Sequence, residues 1–237
     1  MTRAARFLAA SLVVLATLTA CGASAQPAPV PGARGLALEH VLNETGLELD
    51  ELVVPSDPRG AVRLELRDAQ SLAVLVDVRV LSSAREARER LASLEPSLSS
   101  LGVVTISGVG DAAFGDEAGT VIALARGNVL VVLRAIPRET ALDLRALAAA
   151  TVRACDASPM LDRQGASPTL PASVVPTIQT GAATTIALPR GYLAMRVDVD
   201  GEGLARRGDA GAWIVERASG REDVHVTAVD ALLRTAR

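Results

Sequence analysis

Across residues 61–67 hydrophobic and charged positions alternate strictly: Val62, Leu64 and Leu66 fall on one side, Arg63, Glu65 and Arg67 on the other. Strict alternation marks a half-buried strand, because successive side chains leave opposite faces of a sheet. The same phase runs through Leu72–Leu81, where Val74, Val76, Val78 and Val80 share a side and Asp77 and Arg79 oppose them. Asp68-Ala69-Gln70-Ser71 lies between the two runs and has turn chemistry, so together they predict a hairpin. The period then lengthens. In Ser83–Leu98 the residues Ala84, Ala87, Leu91, Leu94 and Leu98 recur every three or four positions and make one helical stripe. Ser83 with Glu86 has the spacing of a capping box, and Glu86 with Arg90 that of a helical ion pair. Pro96 is placed to kink this helix or end it early.

Upstream, Leu36–Leu47 predicts a first helix through Leu38, Val41 and Leu42, with Gly46 as its stop. Leu49–Val54 is apolar and ends at Pro55-Ser56-Asp57-Pro58, a loop sequence. Downstream, Val103–Ile106 predicts a strand broken by Gly108-Val109-Gly110-Asp111. Thr120–Ala125 and Val129–Ile136 read as two more strands around a tight Arg126-Gly127-Asn128 turn. Pro137 and Thr140-x-x-Asp143 open a helix that runs to about Ala154, with Leu144, Ala148, Thr151 and Cys155 on one side. Strands followed by a helix, twice over, predict an α+β domain over 36–155, with helices packed on a mainly antiparallel sheet. Asp156–Ala172 contains three Pro and reads as a linker.

Beyond it the character changes. Val174–Ile178, Thr184–Leu188, Tyr192–Val199, Ala212–Glu216 and Val224–Val229 are short β-type runs, with Asp200-Gly201 and Ser219-Gly220 as turns between some of them. Val229–Arg237 closes this part as a strand or a short helix. Residues 173–237 therefore read as a small β-rich C-terminal domain. A core of that size is marginal alone, so docking against the first domain or a partner is expected.

The first 35 residues follow other rules. Arg3 and Arg6 precede a short apolar run, Phe7–Ala16, and then Leu18-Thr19-Ala20-Cys21. A charged start, an apolar core and small residues before a cut describe an export signal over residues 1–20, and the run is too short for a membrane-spanning helix. Leu18-Thr19-Ala20-Cys21 resembles the lipobox of bacterial lipoproteins. That resemblance implies acylation of the Cys21 thiol, cleavage before it, and a membrane anchor. Gly22 stands where Asp resembles an inner-membrane retention signal, which favours the outer membrane in a Gram-negative source. The competing reading is cleavage after Ala23-Ser24-Ala25, leaving a soluble periplasmic protein that starts at Gln26. Gln26–Gly35 (QPAPVPGARG) carries three Pro and two Gly, so residues 21–35 read as a tether.

Composition narrows the function classes. The chain has 237 residues, 49% hydrophobic and 22% charged, and its basic residues are all Arg. That is a folded chain rather than a disordered one. The net charge of −3 becomes −5 when residues 1–20 and their two Arg are removed, which gives no footprint for nucleic acid. Two Cys and two His argue against a zinc ribbon or a disulfide scaffold, and no cofactor is expected.

Several individual residues are candidate sites. Asp198, Asp200 and Glu202 offer hard oxygen ligands, but Gly201 is too early for an EF-hand loop, and an Asp-Gly β-hairpin is the preferred reading. His40 and His225 are isolated, and His225 alternates outward on a strand. Cys155 lies on an apolar helix face and reads as a buried thiol. Arg207-Gly208-Asp209 reads as chance, with Arg206 and Arg207 decorating a loop. Trp213 and Tyr192, the large rings of the C-terminal part, are candidates for partner binding, with core packing the preferred role.

Residues 70–155 resemble extracytoplasmic α+β modules of envelope lipoproteins and sensor ectodomains, through Gly108-x-Gly110-Asp111, Gly115-Asp116-Glu117-Ala118 and the Arg126-Gly127-Asn128 hairpin. The resemblance implies such a module, with no catalytic residue to carry over. The expectation is a non-enzymatic cell-envelope lipoprotein that binds an envelope protein. The alternatives are a periplasmic hydrolase using the paired acids Asp116-Glu117 and Asp198 with Asp200, or the ligand-sensing subunit of an envelope signalling system.

Overall fold

A computed structural model describes residues 34–57, 60–70, 73–98, 102–136, 143–159, 170, 183–200, 203–209, 212–216 and 223–236. The elements run α1 (Leu38–Thr45), β1 (Glu48–Val53), β2 (Val62–Arg67), β3 (Ala73–Val80), α2 (Ala84–Leu98), β4 (Val103–Thr105), β5 (Ala112–Asp116), β6 (Val121–Arg126), β7 (Val129–Ile136) and α3 (Leu144–Ala157). Six short strands follow: β8 (Ala183–Ile186), β9 (Tyr192–Val199), β10 (Leu204–Arg207), β11 (Trp213–Glu216), β12 (Val224–Asp230) and β13 (Thr235–Ala236). The class is α+β. Seven strands form one antiparallel sheet in the order β1-β2-β3-β7-β6-β5-β4.

The expected hairpin of β2 and β3 is present, with Arg67 opposite Ala73. Val62, Leu64, Leu66, Val74, Val76 and Val78 are all buried, as the alternation required. In the β6–β7 hairpin Arg126 pairs with Val129, so Gly127 and Asn128 make a two-residue turn. Gly127 takes φ +55, which suits the hairpin turn whose first central residue is left-handed.

The central strands are buried on both sides. Ile122 and Leu124 of β6, with Val129, Val131 and Leu133 of β7, join a cluster containing Leu38 and Val41 of α1 and Leu144, Leu147, Ala148, Ala154 and Cys155 of α3. The alternate residues Ala123, Ala125 and Leu130 join a second cluster with Phe114 and with Ala87 and Leu91 of α2.

Several expectations need correction. The first helix is shorter than 36–47. It starts at Leu38 and ends where Gly46 turns left-handed at φ +68 and donates to the Leu42 carbonyl. Strand β5 is an element the hydrophobic pattern does not mark, because Ala112-Ala113-Phe114-Gly115-Asp116 has weak strand propensity; pairing on both sides by β4 and β6 decides it. The helix α2 runs through Pro96 to Leu98. Its Ser83 hydroxyl accepts from the Glu86 N–H, but the Glu86 carboxylate reaches back to the backbone and hydroxyl of Ser82. Asp143 itself is the N-cap of α3, accepting from the N–H groups of Arg145 and Ala146; Thr140 lies outside the described residues. The same helix passes the expected linker boundary and ends at Ala157.

The last two residues of the expected tether are bound into the fold. The Arg34 N–H donates to Asn128 Oδ1 at 2.7 Å, and the Gly35 N–H to the Ser158 hydroxyl at 3.1 Å. The Leu36 N–H donates to the Leu232 carbonyl.

The C-terminal strands form two three-stranded sheets, β10-β11-β8 and β13-β12-β9, which share a core of Ile186, Met195, Val197, Val215, Val226 and Ala228. The expected Asp200-Gly201 hairpin is not formed between β9 and β10: β9 pairs with β12 and β10 with β11, in different sheets, and Gly201 itself lies outside the described residues. Arg206 and Arg207 lie in strand β10, not in a loop. The expected strand Val174–Ile178 and the Ser219-Gly220 turn fall outside the described residues. Val229 and Leu233 leave the small core and join the main one.

Candidate functional site

Strand register places a charged row on the sheet face that α2 approaches. Arg63 of β2 stands opposite Asp77 of β3, which stands opposite Val132 of β7. In the neighbouring rows Arg79 faces Leu130, and Leu75 faces Arg134. Asp77 is only 9% exposed and accepts from both sides. Arg63 Nε reaches its Oδ1 at 2.7 Å, and an Arg134 Nη reaches its Oδ2 at 2.8 Å. Asp77 in turn holds the Arg63 guanidinium above its ordinary value.

Beside this triad a cavity of about 230 Å³ opens between α2 and the sheet. Its charged walls are Arg79, Arg134 and Asp77 from the sheet and Arg90 from α2, with Ser93 alongside; its apolar walls include Leu94, Leu130 and Val132. Arg79 and Arg90 have no ion-pair partner among the described residues. The reason is positional. Arg90 sits on the flank of the α2 stripe that faces β3, and Asp77, the one acid of the cavity wall among the described residues, is already bound by Arg63 and Arg134. The sequence places Asp77 and Arg79 opposite the valine side of the strand and gives no sign that Arg90 meets them, since that meeting depends on where the helix lies.

The residues singled out from the sequence lie elsewhere. Cys21 is outside the described residues. Trp213 and Tyr192 are half-buried and both pack against the C-terminal core. The Trp213 indole N–H donates to the Met195 carbonyl at 2.9 Å, tying the two small sheets together, and Arg207 lies 6.0 Å from the ring centre. Burial raises the Tyr192 phenol above its usual value.

Asp198 is held by Arg196, and Asp200 by His225 at 3.0 Å; Glu202 is outside the described residues. Among the described residues no group of three or more His, Cys, Asp or Glu is placed to hold a metal ion. His40 lies 3.4 Å from Glu44, one helical turn on.

The paired acids do not converge. Asp116 is 5% exposed and accepts from the N–H groups of Thr120 and Val121 and from the Thr120 hydroxyl. Burial pushes this carboxyl up, but those hydrogen bonds outweigh it and hold it below its ordinary value. The cavity of about 430 Å³ that Asp116 and Glu117 line has Asp143 and Arg145 as its other charged walls, not Asp198 or Asp200. Cys155 is fully buried, and burial pushes its thiol up to about 12, the condition of an inert thiol.

No helix among the described residues is long and apolar enough to cross a membrane. No family model matches the chain, and no curated protein or solved structure is significantly similar to it.

Proposed function

We propose that the chain is an exported, lipid-anchored binding module of a bacterial cell envelope that works without catalysis and engages an envelope protein. The lipobox-like Leu18-Thr19-Ala20-Cys21, directly after a short apolar run, carries this reading. Acylation of Cys21 contributes about 0.8 kcal/mol of membrane affinity per buried methylene. Two features of the fold support a module held on a tether. Arg34 and Gly35 are bonded into the domain at Asn128 and Ser158. The helices act as layers on a stiff sheet, α2 on one face and α1 with α3 on the other, as their shared core clusters suggest.

The partner surface includes the β10–β11 face around Arg207 and Trp213, with Tyr192 nearby in the same core. Leu204, on the opposite face of β10 with Arg206, is 67% exposed and offers a separate uncovered apolar contact. Against the hydrolase alternative, each of Asp116, Asp198 and Asp200 is committed to a partner within the fold.

Crosslinking in intact cells, followed by purification and mass spectrometry, tests the reading in one experiment. An acylated Cys21 terminus with one dominant crosslinked envelope protein is expected. A free Gln26 terminus without a partner would overturn it.

A further inference from the structure

We propose that the cavity between α2 and strands β3 and β7 is a binding site for a small dianion, a carboxylate or phosphate compound with a short apolar body. The inference does not depend on the membrane anchor.

Three observations carry it. First, the walls bring together three guanidinium groups, those of Arg79, Arg90 and Arg134, against one carboxylate, Asp77. That carboxylate is already neutralised by Arg63, which approaches from β2 outside the cavity wall. The remaining acid on the same flank of α2, Glu86, is bonded to Ser82. A local excess of positive charge thus stands in a chain whose overall charge is −3. Guanidinium forks match the paired oxygens of carboxylate and phosphate.

Second, the fold holds part of this charge in place before any ligand arrives. Asp77 fixes Arg134 from one side, and Arg79 sits half-buried near the end of β3, where its backbone pairs with Leu130 of β7. Arginines fixed in this way lose less freedom on binding than mobile surface groups.

Third, size and lining limit the ligand. At about 230 Å³ the cavity falls below the roughly 300–1,000 Å³ of sites for drug-sized molecules. That space suits a small metabolite-sized anion. Leu94, Leu130 and Val132 offer an apolar surface for a few methylene groups between or beside the charged ends.

The test is calorimetric titration of the full-length chain in detergent with inorganic phosphate and, separately, with succinate. Saturable binding of one probe is expected, and which one binds separates a phosphorylated ligand from a dicarboxylate. The double variant Arg79→Gln, Arg90→Gln is expected to weaken that binding by at least about tenfold while keeping the melting temperature. Arg85→Gln, on the exposed side of α2 where Arg85 pairs with Glu89, serves as the charge control and is expected to bind as wild type does. Absence of saturable binding for both probes would overturn the proposal. Equal weakening by the double variant and the control would also overturn it, because it would reduce the effect to overall charge.

Discussion

Asp116 carries a charge where the protein leaves only 5% of the residue exposed, and the β5–β6 turn is built around it. Its folded value lies below the ordinary one. A depressed carboxyl stabilises the fold fully above its unfolded value, near pH 4, and that contribution is lost as pH falls through the folded value. Asp116→Ala, which orphans the N–H groups of Thr120 and Val121, is expected to cost about 1–3 kcal/mol at neutral pH. The gap from wild type should narrow below about pH 4, and thermal melts across that range read it out. A gap that stayed constant would mean the carboxylate charge has no part in it. Cys155 makes a second prediction at this scale. With its thiol pushed up to about 12 and no exposure, it should resist a water-soluble thiol reagent at neutral pH and react only once denatured.

Strand β5 shows how an element of weak intrinsic propensity is held by its neighbours. Gly115 pairs with Val104 on one side and Ile122 on the other. A Cβ there would stand 2.6 Å from the Val121 carbonyl oxygen, in the backbone of the next strand, which cannot move aside cheaply. Gly119, in the following turn, has φ +69 but open space around it. Gly115→Ala is therefore expected to lose about 1–3 kcal/mol through overpacking, and Gly119→Ala only about 1 kcal/mol through its left-handed backbone. Urea denaturation of the two variants should rank them in that order. On α3, Asp143→Ala removes the cap and is expected to cost about 0.5–2 kcal/mol in the same measurement.

At the scale of the whole molecule the first described residues and the last turn are stitched together. Leu36 donates to Leu232, and Gly35 lies so close to Leu232 that a Cβ would stand 2.6 Å from that residue's own. Asp230 organises the turn by accepting from the N–H groups of Leu232 and Arg234. Leu233 adopts φ +56, a left-handed conformation that costs a non-glycine residue roughly 1–2 kcal/mol, and its side chain is 1% exposed in the main core. Burial of a leucine outweighs that cost. Leu233→Ala is expected to cost about 2–5 kcal/mol, and because the residue belongs to the main cluster the loss should appear in the unfolding of the whole domain. Calorimetry checks this. A lowered transition confined to the C-terminal strands, with the rest unshifted, would show that the two cores do not unfold together.

The sequence by itself determined the elements whose pattern is local. The β2–β3 hairpin followed from period-two alternation, α2 from a stripe every three or four residues, and the β6–β7 turn from Gly127, because each is set by the order of side chains along a single segment. It also marked Cys155 as a buried thiol from its place on one helix face. Pairing and placement over long separations were decided by the tertiary structure alone. Ala112-Ala113-Phe114-Gly115-Asp116 becomes a strand because β4 and β6 flank it, and β9 and β10 form no hairpin because they belong to different sheets. The arginine cavity has the same origin. Arg63, Asp77, Arg90 and Arg134 are scattered in sequence and meet only through strand register and the seat of α2, and charge attraction between them carries no mark in the linear chain.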